Sequence, residues 1–222
     1  MEMDRLGHKV RIGIFGGTFD PIHYGHLRVA EEARESFALN RILFIPSANP
    51  PHKRRDAVSS VHHRLKMLRR AIACNKAFES SDLECRRPGA SYSVETLHTL
   101  REGEGRGVAF YFIVGLDAFL EIQTWRSYTE LFELSHWLII QRPGAGPGGR
   151  GAFPNKIRRL FEYDPIEKCY VHPSGCKVFF RRFRLLEISS SEIRRLSQSD
   201  RSVRYLTPKP VEEYILEHHI YK

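Results

Sequence analysis

Residues 12–30, Ile-Gly-Ile-Phe-Gly-Gly-Thr-Phe-Asp-Pro-Ile-His-Tyr-Gly-His-Leu-Arg-Val-Ala, constrain the fold of this chain more than any other stretch. Residues 10–15 are apolar and β-branched enough to form a buried strand. Gly16 and Gly17 follow, and a backbone without Cβ atoms can turn sharply and come close to a ligand. From Gly25 onward, Leu27, Ala30, Glu31 and Ala33 read as a helix. A strand, a glycine turn and a helix in that order offer free backbone N–H groups to an anion, and the helix dipole adds attraction. His23 and His26 stand at the helix entrance three residues apart, so both imidazoles can face one phosphate. A Gly-Gly pair alone marks an ordinary turn. The whole string Gly-Gly-Thr-Phe-Asp-Pro-x-His-x-Gly-His is far more specific.

The remaining chain continues the alternation. Residues 41–46 read as a second buried strand stopped by proline, and 47–60 as a polar loop carrying His52, Lys53, Arg54 and Arg55. Val61, Leu65, Leu68 and Ile72 repeat at helical spacing over 61–73. A short strand is expected at 77–85, then a helix to about Arg101 capped by Ser91 or Ser93. Residues 108–115 are the clearest central strand, with a short helix after Asp117. Ser127 and Glu130 predict a capping box for a helix over 128–134, and 136–141 another strand. Residues 143–151 are Pro/Gly-rich, 154–163 suggest a peripheral helix, and 177–186 a strand. A second capping box, Ser189 with Glu192, opens a helix to about Leu196; the last helix spans 208–218, with Val211, Tyr214, Ile215 and His218 on one side. The pattern predicts an α/β, Rossmann-like, doubly wound and mostly parallel sheet, with ligands at the carboxyl ends of its strands. At 222 residues it reads as a single domain, with a core of about residues 10–186 and a small C-terminal helical region over about 187–222. The first turn lacks the full Gly-x-Gly-x-x-Gly spacing, which argues against an ordinary dinucleotide-dependent dehydrogenase.

A formal charge of +9 favours polyanionic partners, whether nucleic acid or small polyphosphates. Arg181, Arg182 and Arg184 interleave with Phe180 and Phe183 as a strand does around a core, so they do not make a nucleic-acid stripe. No apolar run approaches the roughly 20 residues of a membrane span. The first nine residues lack the apolar centre of a secretory signal, so the cytoplasm is the expected location. The four cysteines form no Cys-x-x-Cys pair; free thiols are expected, with Cys169, His172 and Cys176 a minor metal option.

The Gly-Gly-Thr-Phe-Asp-Pro-Ile-His-Tyr-Gly-His string resembles the His-x-Gly-His signature of the nucleotidyltransferase superfamily. Further segments are similar to bacterial nicotinate-nucleotide adenylyltransferases: Asn-Pro-Pro-His-Lys (49–53), Gly-Ala-Ser-Tyr-Ser (89–93), Phe-Ile-Val-Gly-Leu-Asp (112–117), Thr-Trp (124–125), Gln-Arg-Pro-Gly (141–144) and Ile-Ser-Ser-Ser-Glu-Ile-Arg (188–194). They stand in family order and span nearly the whole chain. The resemblance implies transfer of AMP from ATP to nicotinate mononucleotide, giving deamido-NAD and pyrophosphate.

For ATP, the resemblance assigns backbone and hydroxyl donors to Gly16, Gly17 and Thr18, and phosphate contacts to His23 and His26, with His26 on the α-phosphate. Lys53 would take the β- or γ-phosphate, Asp117 the adenylate ribose hydroxyls, and Ser190, Ser191 and Arg194 the pyrophosphate. Mg²⁺ would travel with ATP, held by phosphate oxygens and water. For nicotinate mononucleotide, Trp125 would stack on the pyridine ring and Ser93 would meet the carboxylate, with Arg126 keeping a contact there if its backbone N–H makes it and weakening the carboxylate preference if the side chain does. Ser93 stands where the family usually has threonine, and Arg126 replaces a frequent tyrosine. The nearest rival is a transferase acting on phosphopantetheine or another phosphorylated acceptor. A basic nucleic-acid-binding module is more remote, so neither nucleic acid nor membrane is an expected partner; whether copies associate into a homo-oligomer is open.

Overall fold

The computed structural model describes residues 10–49, 58–87, 89–105, 107–141, 149–184 and 186–222. The eight strands among them form one mostly parallel sheet in the order β3-β2-β1-β4-β5-β8-β7-β6. The chain divides into two compact units: residues 1–15, Ala33–Asn40 and Tyr92–Phe183, and Gly16–Glu32, Arg41–Ser91 and Arg184–Lys222. The last 39 or so residues therefore group with the segments that carry the glycine turn and the two histidines.

In the first unit, β1 (Arg11–Gly17) pairs in parallel with β4 (Ala109–Gly115), setting Ile12 beside Phe110 and Ile14 beside Phe112. Next to β4 run β5 (His136–Gln141) and β8 (Lys177–Arg182), both parallel. All of β4 up to Val114 is buried, as a strand covered on both faces should be. Helices α4 (Ser93–Glu104), α5 (Leu116–Leu120) and α6 (Tyr128–Leu134) accompany these strands. The boundaries of α6 are as expected, but its capping box is not formed. Ser127 sits in the left-handed region at φ 48° and its side chain makes no cap bond. Residues 154–163 are not a helix either. They hold a single 3₁₀ turn, Arg158–Leu160, and enter β6 (Glu162–Asp164), which pairs antiparallel with β7 (Cys169–Val171). Alternating Glu-Tyr-Asp and Cys-Tyr-Val prefer the edge of an existing sheet to an isolated helix turn.

In the second unit, β2 (Arg41–Pro46) pairs in parallel with the three-residue β3 (Phe78–Ser80). The strand expected over 77–85 stops early, because Asp82 begins the short helix α3 (Leu83–Arg86). Around them lie α2 (Val61–Ile72), α7 (Ser190–Gln198), α8 (Lys209–Glu217) and the first part of α1 (Tyr24–Ser36). Val211, Tyr214 and Ile215 of α8 are buried, while His218 is exposed. Neither Ser91 nor Ser93 caps α4, whose cap residue is Tyr92. The Ser91 hydroxyl instead accepts the backbone N–H groups of Ala48 and Asn49, at 3.0 and 3.2 Å, just past β2.

Candidate active site

The glycine turn and the two histidines take their form from close packing in the second unit. A Cβ on Gly17 would lie 3.0 Å from the Phe19 ring, and Phe19 itself turns through φ 49°. Below it, His23 is buried and stacks on His26, ring centroids 3.7 Å apart and planes 27° off parallel. A Cβ on Gly25 would sit 3.0 Å from the His23 imidazole, which explains the glycine of the His-x-Gly-His string: the ring occupies the space a side chain would need. The His26 N–H, which donates to the His23 carbonyl at 3.0 Å, also points at His23 Nδ1 at 3.4 Å. His26 is half-buried, with its edge against Phe19 at 5.1 Å, rather than exposed as its place at a helix entrance suggests. The first N–H groups of α1 are less available than the strand-turn-helix pattern implies: Tyr24 donates to the Leu206 carbonyl, and His26 and Leu27 to that of His23. The groups left to meet an anion here are the imidazoles and the turn at Gly16, Gly17 and Thr18, as the sequence motif leads one to expect.

Beneath the turn lies a pair of buried charges that sequence reading missed. Arg64 is 1% exposed, and its guanidinium donates to the carbonyls of Thr18 (2.7 Å), Ser59 (2.9 Å) and Ala48 (3.3 Å). Burial lowers its pKa, and the nearby Asp20 carboxylate opposes that shift. Asp20, also buried, accepts the Ser59 N–H on one carboxylate oxygen (3.0 Å) and the Tyr221 hydroxyl on the other (2.8 Å). The buried face of α2 is Arg64, Met67, Leu68, Ala71 and Ile72, rotated from the one read through Val61 and Leu65. The available signal was spacing. Arg64 stands four residues before Leu68, on the face that faces inward.

Helix α7 brings the Ser-Ser-Ser-Glu-Ile-Arg segment to the same loop. Ser189 caps the helix by accepting the Glu192 N–H, whereas the Glu192 carboxylate pairs with Arg195, so half of the capping box forms. The Ser190 hydroxyl donates to the Pro21 carbonyl at 2.9 Å and is committed to structure. Ser191 is exposed, and its hydroxyl lies 3.3 Å from Arg194. Arg194 donates to the Asp20 carbonyl at 2.7 Å and lines, with Asp20, Ser59, Gln198 and Tyr221, a pocket of about 440 Å³. Thr18, His23, His26, Ser190 and Arg194 thus belong to one connected set. Lys53 lies outside the described residues.

The first unit carries the other predicted groups. Asp117 is exposed in the first turn of α5, folded back so that a Cβ on Gly115 would collide with its carboxylate. Ser93 is the first residue of α4, whose N-terminus has no side-chain cap. Arg126 pairs with Glu95 of that first turn at 3.0 Å and lies 4.8 Å over the Tyr92 ring. Trp125 is half-buried, in edge contact with Phe112 and tilted against Trp137. Part of its indole is core, and part remains open to a ligand.

Comparison with known proteins agrees with these motifs. The cytidylyltransferase-like family model matches residues 14–196. A curated relative from Pelobacter propionicus, named "Probable nicotinate-nucleotide adenylyltransferase", is 46% identical over 213 residues, covering 96% of this chain and 98% of its own. One of the same name from Citrifermentans bemidjiense is 47% identical over 213 residues, with the same coverage. Among solved structures, the Plasmodium falciparum nicotinic acid mononucleotide adenylyltransferase complexed with NaAD superposes with a TM-score of 0.73 over 96% of this chain and 97% of its own. At 22% identity that likeness bears on the fold, which it shares. Sequence identity of this extent over nearly the full length decides the relationship: the chain belongs to the nicotinate-nucleotide adenylyltransferases of the cytidylyltransferase-like family.

Proposed function

We propose that the chain transfers AMP from ATP to the phosphate of nicotinate mononucleotide, releasing pyrophosphate and forming deamido-NAD for NAD biosynthesis. The observation that carries the reading is the stacked His23–His26 pair beside the glycine turn, with Arg194 docked on the same loop. In this reaction an acceptor phosphate oxygen attacks the α-phosphorus and pyrophosphate leaves. No covalent nucleophile is needed; the protein positions two anions and stabilises charge on the pentacovalent phosphorus.

His26 donates to the α-phosphate, and His23, stacked on it, offers the second imidazole to the phosphate oxygens. Gly16, Gly17 and Thr18 line the turn that the phosphates approach. Arg194 and the first turn of α7 take the pyrophosphate, with Ser191 contributing a hydroxyl and Ser190 its backbone. Lys53 adds a cation. Asp117 accepts the ribose hydroxyls. Mg²⁺ has a poor fit to the protein groups here. Imidazoles and a guanidinium suit anions, and both oxygens of the Asp20 carboxylate already accept hydrogen bonds. The ion would arrive with ATP on phosphate oxygens and water, and would supply charge neutralisation.

On the acceptor side, the N-terminus of α4 at Ser93 attracts the nicotinate carboxylate. Arg126 neutralises Glu95 in that turn, so the carboxylate is not repelled. The open part of Trp125 receives the pyridinium ring. Four cysteines outside any disulfide fit a reducing, cytoplasmic setting. The deciding experiment supplies ATP and Mg²⁺ with each candidate acceptor phosphate and follows pyrophosphate. Release with nicotinate mononucleotide and none with phosphopantetheine is expected; the reverse pattern refutes the reading.

A further inference from the structure

Tyr221 lies 201 residues from Asp20 in sequence, yet its hydroxyl donates to the Asp20 carboxylate at 2.8 Å. Burial and that carboxylate both push the phenol pKa up, so Tyr221 stays a neutral donor. Asp20 makes three contacts in different directions. One carboxylate oxygen receives Tyr221, the other receives the Ser59 N–H, and the main-chain carbonyl receives Arg194. Arg64 grips the other side of Ser59 through its carbonyl and holds Thr18 as well. The loop from Thr18 to Pro21 is therefore set by a chain of contacts that ends at Tyr221.

Tyr221 and Arg194 also line the same pocket of about 440 Å³. Among the described residues, Arg194 pairs with no acidic side chain. It is aimed by a carbonyl and by the Ser191 hydroxyl. The Asp20 side chain has two hydrogen-bond anchors, the Ser59 N–H and the Tyr221 hydroxyl.

We propose that Tyr221 is a positioning residue for ATP: through Asp20 it fixes the carbonyl that aims Arg194 at the triphosphate. This rests on the reading of Arg194 as a phosphate ligand. Tyr221 itself touches no reacting atom. Its removal therefore weakens the hold on ATP and leaves the nicotinate mononucleotide contacts, which belong to the first unit, as they were.

The test compares the wild type with Tyr221→Phe, which removes one hydroxyl and keeps the ring. The KM for ATP and the Kd of a non-hydrolysable ATP analogue by calorimetry should both rise about tenfold, the effect of losing one hydrogen bond to a charged group. The KM for nicotinate mononucleotide should change less than about twofold. Asp20→Asn keeps the side-chain shape but turns an amide donor toward either Ser59 or Tyr221, and it should reproduce the ATP defect. Unchanged ATP affinity in Tyr221→Phe overturns the proposal. So does a parallel rise in both KM values with a lowered Tm, which is the signature of a merely structural contact. A wild type that releases no pyrophosphate from ATP and nicotinate mononucleotide refutes the function instead, and the analogue Kd still decides the role of Tyr221.

Discussion

Around the glycine turn of the second unit, polar side chains are committed mostly to backbone atoms: Arg64 to three carbonyls, Arg194 and Ser190 to two more, and Asp20 to an N–H and to the Tyr221 phenol. In the first unit, Asp117 and Arg126 are exposed and Ser93 and Trp125 are half-open, held by one surface ion pair and by aromatic edges. The groups proposed to bind phosphate are thus preset by buried contacts, while Asp117, proposed for the ribose, and the groups proposed for the acceptor stand on strand-and-helix ends with less of their surface covered. A triphosphate offers the same charge in every nucleotide, so rigid donors suit it. An acceptor is told apart from its analogues by a few outward groups that can be exchanged without unfolding the frame.

The sharpest way to break this contrast is Arg64→Met. It leaves three half-buried carbonyls without their donor and the buried Asp20 without its counter-charge, and should cost about 3–5 kcal/mol. Urea unfolding measures it, and a loss under about 1 kcal/mol would mean that water replaces the guanidinium and the second unit is no more preset than the first. His26→Ala comes next. Loss of one donor to developing charge should lower kcat about 100- to 1000-fold. Single-turnover rates decide, and near-normal turnover would move the chemistry away from the stacked pair. Because His26 packs on His23 and Phe19, a lower Tm should accompany the loss of rate.

The first unit should respond through specificity. The nicotinate and nicotinamide mononucleotides share a flat cationic ring, so Trp125 cannot separate them, but donors at α4 can. Each charge-assisted bond is worth about ten- to a hundredfold, so kcat/KM should favour the acid strongly. Trp125→Ala should lower both by a similar factor, and a loss confined to one substrate would place the ring platform elsewhere. The smallest effect belongs to Arg126→Ala. An exposed pair contributes at most about 1 kcal/mol to stability, so unfolding should hardly change. The acid preference should fall up to about fivefold as Glu95 loses its partner. An unaltered preference would leave Arg126 as a surface charge.

Strands and helices were legible wherever apolar residues kept one period, as in β2, β4, α2 and α6. The misses share a cause. Ser91, Ser93 and Ser127 carry cap chemistry in sequence, yet a cap needs the backbone to arrive at the right angle. Ser91 is drawn to the segment after β2, and Ser127 is turned left-handed. The residues at 162–164 become a strand only because β7 offers an edge. In the site, the motif residues could be read directly, whereas Arg64 acts on backbone carbonyls as far as Thr18 and Tyr221 on the Asp20 carboxylate, 201 residues away. A contact to a carbonyl leaves no pattern in residue types, so nothing in the string announces it.

The grip of Arg64 bears on how portable the motif is. Transplanting residues 16–26 between a strand and a helix of another protein would carry over the glycines and both imidazoles. It would leave behind the cation that pins the Thr18 carbonyl and the acceptor loops it ties together. The string that looks like a self-contained module is only the visible half of one. A designer seeking the same anion grip would need to graft α2 with it, arginine inward, and to treat the pair as the smallest inheritable part.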